Sequence, residues 1–340
     1  MDGILNINKP VGQTSYAVVA LVKRLTGEKR VGHAGTLDPM ASGVLPVCLG
    51  QATRLVEYLM SSTKTYLAEI ELGINTDTFD KEGTVTGRRD CTAVTLEQIT
   101  NTLQLFTGDI QQVPPKYSAL KHHGRPLYEL ARAGIDVEVK SRHAFIKSIE
   151  VKDFHSPGLT VEVICGKGTY IRSLANDLGE KLGCGATLRN LIRTRVGIFD
   201  YANALTPEQL QEAYRTGYWE SLLYPMDSIL GDWQAVVVGT EMEKTIRSGI
   251  QVDLDRYFKA NKENQFARAY TLEGTLLGIM RFDKEKQLWQ PEKVFASLTP
   301  PDLCGTNNSR ACRGGCGDNC PQVSKQGDRE LKLEGKQLNG

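Results

Sequence analysis

Asp38 is the one ionised side chain in the stretch GHAGTLDPMASGVLP, residues 32–46. Gly32, Gly35 and Gly43 loosen the backbone there, and Pro39 and Pro46 remove amide donors, so neither a continuous helix nor a continuous strand is expected. The stretch reads as a fixed loop that presents one acid among small, apolar neighbours. A carboxylate held that way can serve as a nucleophile or as a general base. The plainer alternative is an ordinary Asx turn, since Asp before Pro favours turns.

Partners for such an acid come from far along the chain. GKGTYIRSLANDLG (166–179) sets Arg172 in a helix that opens from a Gly-Lys-Gly loop. A helix start beside Lys167 and Arg172 suits a phosphate or an aspartate. An arginine beside Asp38 would hold it ionised, depressing its pKa by roughly 1–3 units. The alternative is a solvated helix arginine. KTYLAEIELG (64–73) places Tyr66 at the mouth of a strand next to Lys64, where the ring can stack on a base and the phenol can move a proton; a half-buried strand tyrosine is the competing possibility.

Two further segments carry bases. PPKYSALKHHGRPLYELARAG (114–134) combines Tyr117 with His122 and His123 but no third ligand at metal spacing, which suits RNA backbone contacts better than zinc. LRNLIRTRVG (188–197) carries Arg189, Arg193 and Arg195 without an acid among them, a second phosphate-facing candidate. Neither a dinucleotide fingerprint nor a phosphate loop is present, and no Ser-His-Asp arrangement announces itself. The expected chemistry therefore runs on an aspartate, with no metal and no cofactor.

Helix and strand patterns that must position these residues are mixed rather than strictly alternating, which indicates an α+β fold. TSYAVVALVKRLTG reads as a helix capped by Ser or Thr at its start and Gly27 at its end. TLEQITNTLQLFTG opens with Thr95 and Gln98 at capping-box spacing and puts Leu96, Ile99, Leu103 and Phe106 on one stripe. TYIRSLANDLGEKLG does the same with Ile171, Leu174, Leu178 and Leu182. Strands are expected over 67–72, 144–151 and 159–166. After a helix opened by Thr206-Pro207, a boundary is expected near 225–235. Beyond it lie a short helix, TEMEKTIRSG, and three strands, FARAYT, TLLGIMRF and LWQPEKVF.

The 340 residues carry a net charge of +1, so whole-chain charge makes no case for nucleic acid. Locally the charge is uneven. Residues 9–66 hold seven Lys/Arg against three acids, 109–200 hold fourteen against ten, and 67–108 between them hold three against seven. The N-terminus lacks a basic region followed by an apolar run, so a cytoplasmic protein with reduced thiols and no membrane association is expected. Of eight cysteines, four crowd into the tail as Cys304, Cys312, Cys316 and Cys320. Their spacing departs from paired Cys-x2-Cys zinc ligands, and 300–340 reads as a disordered, Cys-containing extension, with a metal site as the alternative.

Taken in order, NKPVGQTS (8–15), GHAGTLDPMASGVLP, KTY, PPKYSALKHHGRPLYELARAG and GKGTYIRSLANDLGEKLGCGATLRNLIRTRVGIF resemble the TruB family, the bacterial tRNA pseudouridine-55 synthases. The resemblance covers roughly residues 3–230. It implies a pseudouridine synthase catalytic domain over 1–230, with a central mixed, largely antiparallel sheet flanked by helices. It implies that Asp38 is the catalytic acid, that Arg172 pairs with it, and that Tyr66 stacks on the uracil and takes the C5 proton. Leu191 would pack on the other side of the base, His33 would fill the gap left by a flipped nucleotide, and Lys9 would support the tyrosine side of the pocket. Lys64 and Lys167 complete the expected substrate-binding set. Residues 233–298 resemble, in shortened form, the RNA-binding PUA module that ends many members. The implied partner is the T arm of tRNA, met by a monomer with no required protein partner. Other readings are a tRNA folding factor with incidental isomerase activity and a synthase acting on another RNA.

Overall fold

The computed structural model describes residues 1–295 apart from 119, 123, 136 and 258–264. The chain enters on β1 (Gly3–Lys9), then α1 (Ser15–Thr26), β2 (Val31–His33) and β3 (Ser42–Leu49). The loop between β2 and β3 carries Asp38. A short 3-10 turn and α2 (Val56–Ser61) lead into β4 (Lys64–Leu72), followed by the hairpin β5 (Ile74–Thr76) and β6 (Val85–Arg88). Next come α3 (Leu96–Gln104), β7 (Gly108–Gln112), the small pair β8 (Lys121–His122) and β9 (Arg125–Pro126), and α4 (Leu127–Arg132). The long hairpin β10 (Arg142–His155) and β11 (Gly158–Cys165) precedes α5 (Ile171–Leu182), β12 (Ala186–Val196), β13 (Phe199–Asp200) and α6 (Pro207–Thr216).

Nine of these strands form one sheet in the order β1-β3-β12-β4-β11-β10-β7, with β2 added on β3 and β13 on β12, while β5-β6 and β8-β9 pair as separate two-stranded ribbons. Every pairing is antiparallel except β12 on β3, so the sheet is mixed and largely antiparallel, flanked by helices. The main core lies where α3 and α5 cover one face of β4, β11 and β12, and it includes Leu37, Met40 and Leu191 from around the candidate site. A second core forms where α1 and α6 pack on β1 and β3.

Caps account for several helix limits. Thr14 accepts from the Ala17 amide and Gly27 closes α1 at φ +68°; Thr95/Gln98 and Thr206/Gln209 both form the reciprocal capping box. Two expectations need correction. Leu96 is 49% exposed and lies off the buried stripe, because it is the first residue of α3 and points past the core that Ile99 and Leu103 enter. Tyr170, not a Ser or Thr, stands at the N-cap of α5, with no side-chain cap.

Four further strands make a separate sheet: β14 (Gln234–Val237), then, after α7 (Thr240–Arg247), β15 (Phe266–Tyr270), β16 (Leu276–Asp283) and β17 (Leu288–Val294). β14, which no pattern in the sequence signals, runs parallel to β15. The sheet has its own core around Trp289 and packs through Ile279 and Phe295 on Leu55, Tyr58 and Ile229. The tail beyond 300, and with it the cysteine cluster, lies outside the described residues.

Candidate active site

The loop carrying Asp38 is anchored before it is functional. Leu37 and Met40, on either side of the Asp-Pro pair, are buried in the main core. Ser15 Oγ donates to the Leu37 carbonyl at 3.1 Å and accepts from the Leu37 amide at 2.9 Å. The Ala41 amide donates to the Asp38 carbonyl at 3.1 Å, and the Gly12 amide to the Pro39 carbonyl at 2.8 Å. Turn and presenting loop are thus the same object. At its far end Gly43 has φ +106°, and a Cβ there would stand 2.2 Å from the Arg193 carbonyl oxygen, where β3 meets β12. Only glycine fits that approach.

Arg172, the second residue of α5, reaches across the fold. Its Nε lies 2.9 Å from Asp38 Oδ2 and its Nη1 lies 3.2 Å from Asp80 Oδ2, while Nη2 donates to the Tyr117 carbonyl at 2.9 Å. The Arg172 and Asp80 side chains are each 5% exposed, whereas Asp38 is 37% exposed and faces the cavity. Asp80 is fixed in turn by the Thr78 hydroxyl at 2.6 Å and the Glu82 amide at 3.0 Å. Sequence reading missed Asp80. Its signal was available: it sits in NTDTFDKEG, within the acidic block that separates the two basic ones.

Burial pushes the Asp38 carboxyl above the ordinary 3.8; Arg172 opposes this, Asp80 reinforces it and Lys9 opposes it. The depressed carboxyl expected from an arginine neighbour is therefore reversed. One guanidinium serves two acids, and desolvation outweighs its share.

Asp38 opens on a cavity of about 300 Å³ whose wall includes Tyr66, Lys64, Leu191, Arg193, Lys167 and Tyr170. Tyr66 sits on β4 opposite Arg193 of β12 on one side and Val163 of β11 on the other. Its phenol is pushed up by burial, and the Arg193 charge pulls against that shift. Lys64 is buried, donates to the Ser62 carbonyl at 2.6 Å and to that of Met60, and is lowered by burial to about 8. Leu191 is 6% exposed, and Lys167 stands free at the rim on the Gly166–Gly168 loop.

Other expected site residues lie differently. Lys9 is fully buried under the aspartate loop, donating to Gln13, Pro10 and Pro39 carbonyls at 2.7, 2.9 and 3.5 Å, so it braces the Asp38 side rather than the tyrosine side. Burial lowers it to about 8, with Asp38 opposing. His33 on β2 does not line the cavity; its Nδ1 is buried without a hydrogen-bond partner, and burial followed by the Arg193 charge lowers its pKa. The arginine trio is not a free phosphate face. Arg189 pairs with Glu71 at 3.3 Å, Arg195 with Asp200 at 2.6 Å, and Arg193 is buried. His123 and the His122 side chain lie outside the description. Among the described residues no group of three or more His, Cys, Asp or Glu is arranged to hold a metal, and no helix is long and apolar enough to cross a membrane.

Residues 23–171 match the model of the TruB family pseudouridylate synthase N-terminal domain, and 172–231 that of the tRNA pseudouridylate synthase B C-terminal domain. A Dehalococcoides mccartyi (strain BAV1) protein named tRNA pseudouridine synthase B is 48% identical over 303 residues, covering 89% of this chain and 99% of its own. A Clostridium kluyveri protein of the same name is 44% identical over 279 residues, 82% of this chain and 95% of its own. Among solved structures, an H/ACA RNP bound to a substrate RNA containing 2′-deoxyuridine superposes with TM-score 0.66 at 25% identity, over 87% of this chain and 85% of that one. A Cbf5-Nop10-Gar1 complex gives TM-score 0.65, also at 25% identity, over 86% and 85%. Fold and site together define a pseudouridine synthase, an isomerase. The chain belongs to the TruB family of pseudouridylate synthases.

Proposed function

We propose that this chain converts uridine 55, in the T loop of tRNA, to pseudouridine. The observation that carries the reading is the Arg172-held carboxylate of Asp38 at the edge of a cavity that Tyr66 and Leu191 also line. The names of its relatives favour tRNA as substrate.

In the proposed reaction the C1′–N1 bond breaks, the uracil turns while bound, and C1′ joins C5. Asp38 attacks C1′ or takes a sugar proton; either step needs the ionised carboxylate, and Arg172 aims it. Tyr66 stacks on the base and receives the C5 proton, and Leu191 packs on the opposite side. Lys9 braces the aspartate loop. Lys64 and Lys167 contribute positive charge, and His33 occupies the space of the nucleotide once it has flipped out, at a cost of a few kcal/mol met by shape and phosphate contacts. Residues 1–230 act as the catalytic domain and 233–298 as a PUA-like RNA-binding module, in a cytoplasmic monomer that requires no protein partner.

Incubation with an unmodified tRNA transcript, followed by mapping of pseudouridine, tests this reading. Product at position 55 is expected. Product confined to other positions or other RNAs would replace the substrate, and no product on any would remove the reading.

A further inference from the structure

Two buried cations share the Tyr66 wall of the cavity with no acid to balance them. Arg193 is 1% exposed and Lys64 5%. Lys64 and Tyr66 are two residues apart on β4, and Arg193 is the register partner of Tyr66 on β12, so all three point to the same face of the sheet. Buried charges are normally paired with the opposite charge. Here Arg193 Nε and Nη2 donate to the Val44 and Gly35 carbonyls, at 2.7 and 3.0 Å, its guanidinium also meets the Tyr66 phenol, and Lys64 Nζ donates to the Ser62 and Met60 carbonyls; all of these partners are neutral. Among the described residues neither forms an ion pair, and the cavity's own carboxylate, Asp38, is already held by Arg172.

Fixed positive charge without a resident anion is an arrangement for negative charge that arrives or develops during reaction. Breaking C1′–N1 leaves the bonding electron pair on the uracil, whichever way Asp38 acts. Those electrons return when C5 bonds to C1′; the C5 proton then leaves and N1 gains one. Between the two events the base is a detached anion that must turn without escaping. We infer that Arg193, with Lys64 beside it, holds the detached uracil as its anion against the Tyr66 wall. The inference rests on the proposed chemistry at Asp38. Leu191, on the same strand as Arg193, supplies an apolar surface along which the ring can turn.

The test compares parent, Arg193→Gln and Lys64→Gln in single turnover on one tRNA transcript made with uridine or with 5-fluorouridine. The rate is read on both as loss of the starting nucleoside, because the fluorinated base has no C5 proton to release and does not go on to pseudouridine. RNA affinity and melting curves are measured for each protein. Fluorine at C5 makes the departing base easier to release as an anion, so a lost anion-stabilising charge should matter less with it. We expect each variant to lose about tenfold or more in rate on uridine RNA, to lose far less in RNA affinity than in rate, and to lose clearly less rate on 5-fluorouridine RNA. Equal losses on both RNAs would make these residues structural and overturn the inference. Weakened binding with an unchanged rate would assign the charges to a phosphate and also overturn it. If Arg193→Gln does not fold, the two rates of Lys64→Gln decide alone. A parent without product on uridine RNA would instead remove the underlying reading.

Discussion

Asp38 and Asp80, 42 residues apart in sequence, share one guanidinium: Arg172 lies 2.9 Å from the first through Nε and 3.2 Å from the second through Nη1. Only Asp38 opens to the cavity. Asp80 is enclosed by the Thr78 hydroxyl and the Glu82 amide, and it fixes the arginine so that the arginine can fix the reacting acid.

Asp80→Asn should move the acid limb of the activity–pH profile to lower pH than the parent's. Asp80 raises the Asp38 pKa, and its removal leaves Arg172 to Asp38 alone. Asp80→Ala should also cost about 3 kcal/mol of stability, the low end for breaking a buried pair, because Asp38 remains as a partner. Single-turnover rates across pH and urea unfolding check both. An acid limb that stays put would mean that Asp80 is electrostatically silent.

Arg172→Lys should be costly although charge is conserved, because lysine cannot reach two carboxylates with a planar fork. Arg172→Ala should cost more and shift the acid limb upward, since Arg172 is what opposes the rise of the Asp38 pKa. Parent-like rates in both variants would reduce Arg172 to packing.

Asp38→Asn should be more stable than the parent at neutral pH. The folded-state carboxyl titrates above its ordinary 3.8, so the fold holds the proton more tightly than the unfolded chain does. Stability is therefore lost as pH rises from about 3.8 through the folded value, and above it the full penalty applies. Asparagine never ionises and escapes this penalty. Denaturant midpoints at acid and neutral pH read the difference; a variant less stable than the parent at neutral pH would contradict it.

Gly43→Ala should destabilise by about 3 kcal/mol or more, through both strain at positive φ and a clash. The new methyl would fall 2.2 Å from the Arg193 carbonyl oxygen, on backbone rather than a movable side chain. Thermal unfolding tests this, and an unchanged midpoint would show that β3 can part from β12 freely.

What could be read from the chain was local or carried by motif. The Asp38 loop, the caps at Thr95 and Thr206, and the strand bearing Tyr66 follow from short-range rules. What escaped depends on register. Arg193 reads in the sequence as one of three phosphate-facing arginines; pairing with β4 turns it inward opposite Tyr66, while Arg189 and Arg195 stay outside in ion pairs with Glu71 and Asp200. Lys9 was set on the wrong side of the pocket because nothing in NKPVGQTS says which carbonyls will surround its ammonium. Asp80 went unseen because an acid in a polar turn is ordinarily solvated, and only the arrival of Arg172 from 92 residues away makes it a buried partner.

Asp38→Asn on an unmodified tRNA transcript, with RNA binding and pseudouridine formation followed in the same samples, puts the role of Asp38 to the most direct test. The amide keeps the shape of the carboxylate and loses its charge. RNA affinity close to the parent's with no detectable pseudouridine is the expected result. Product formation at a rate near the parent's would contradict it and move the chemistry to another residue.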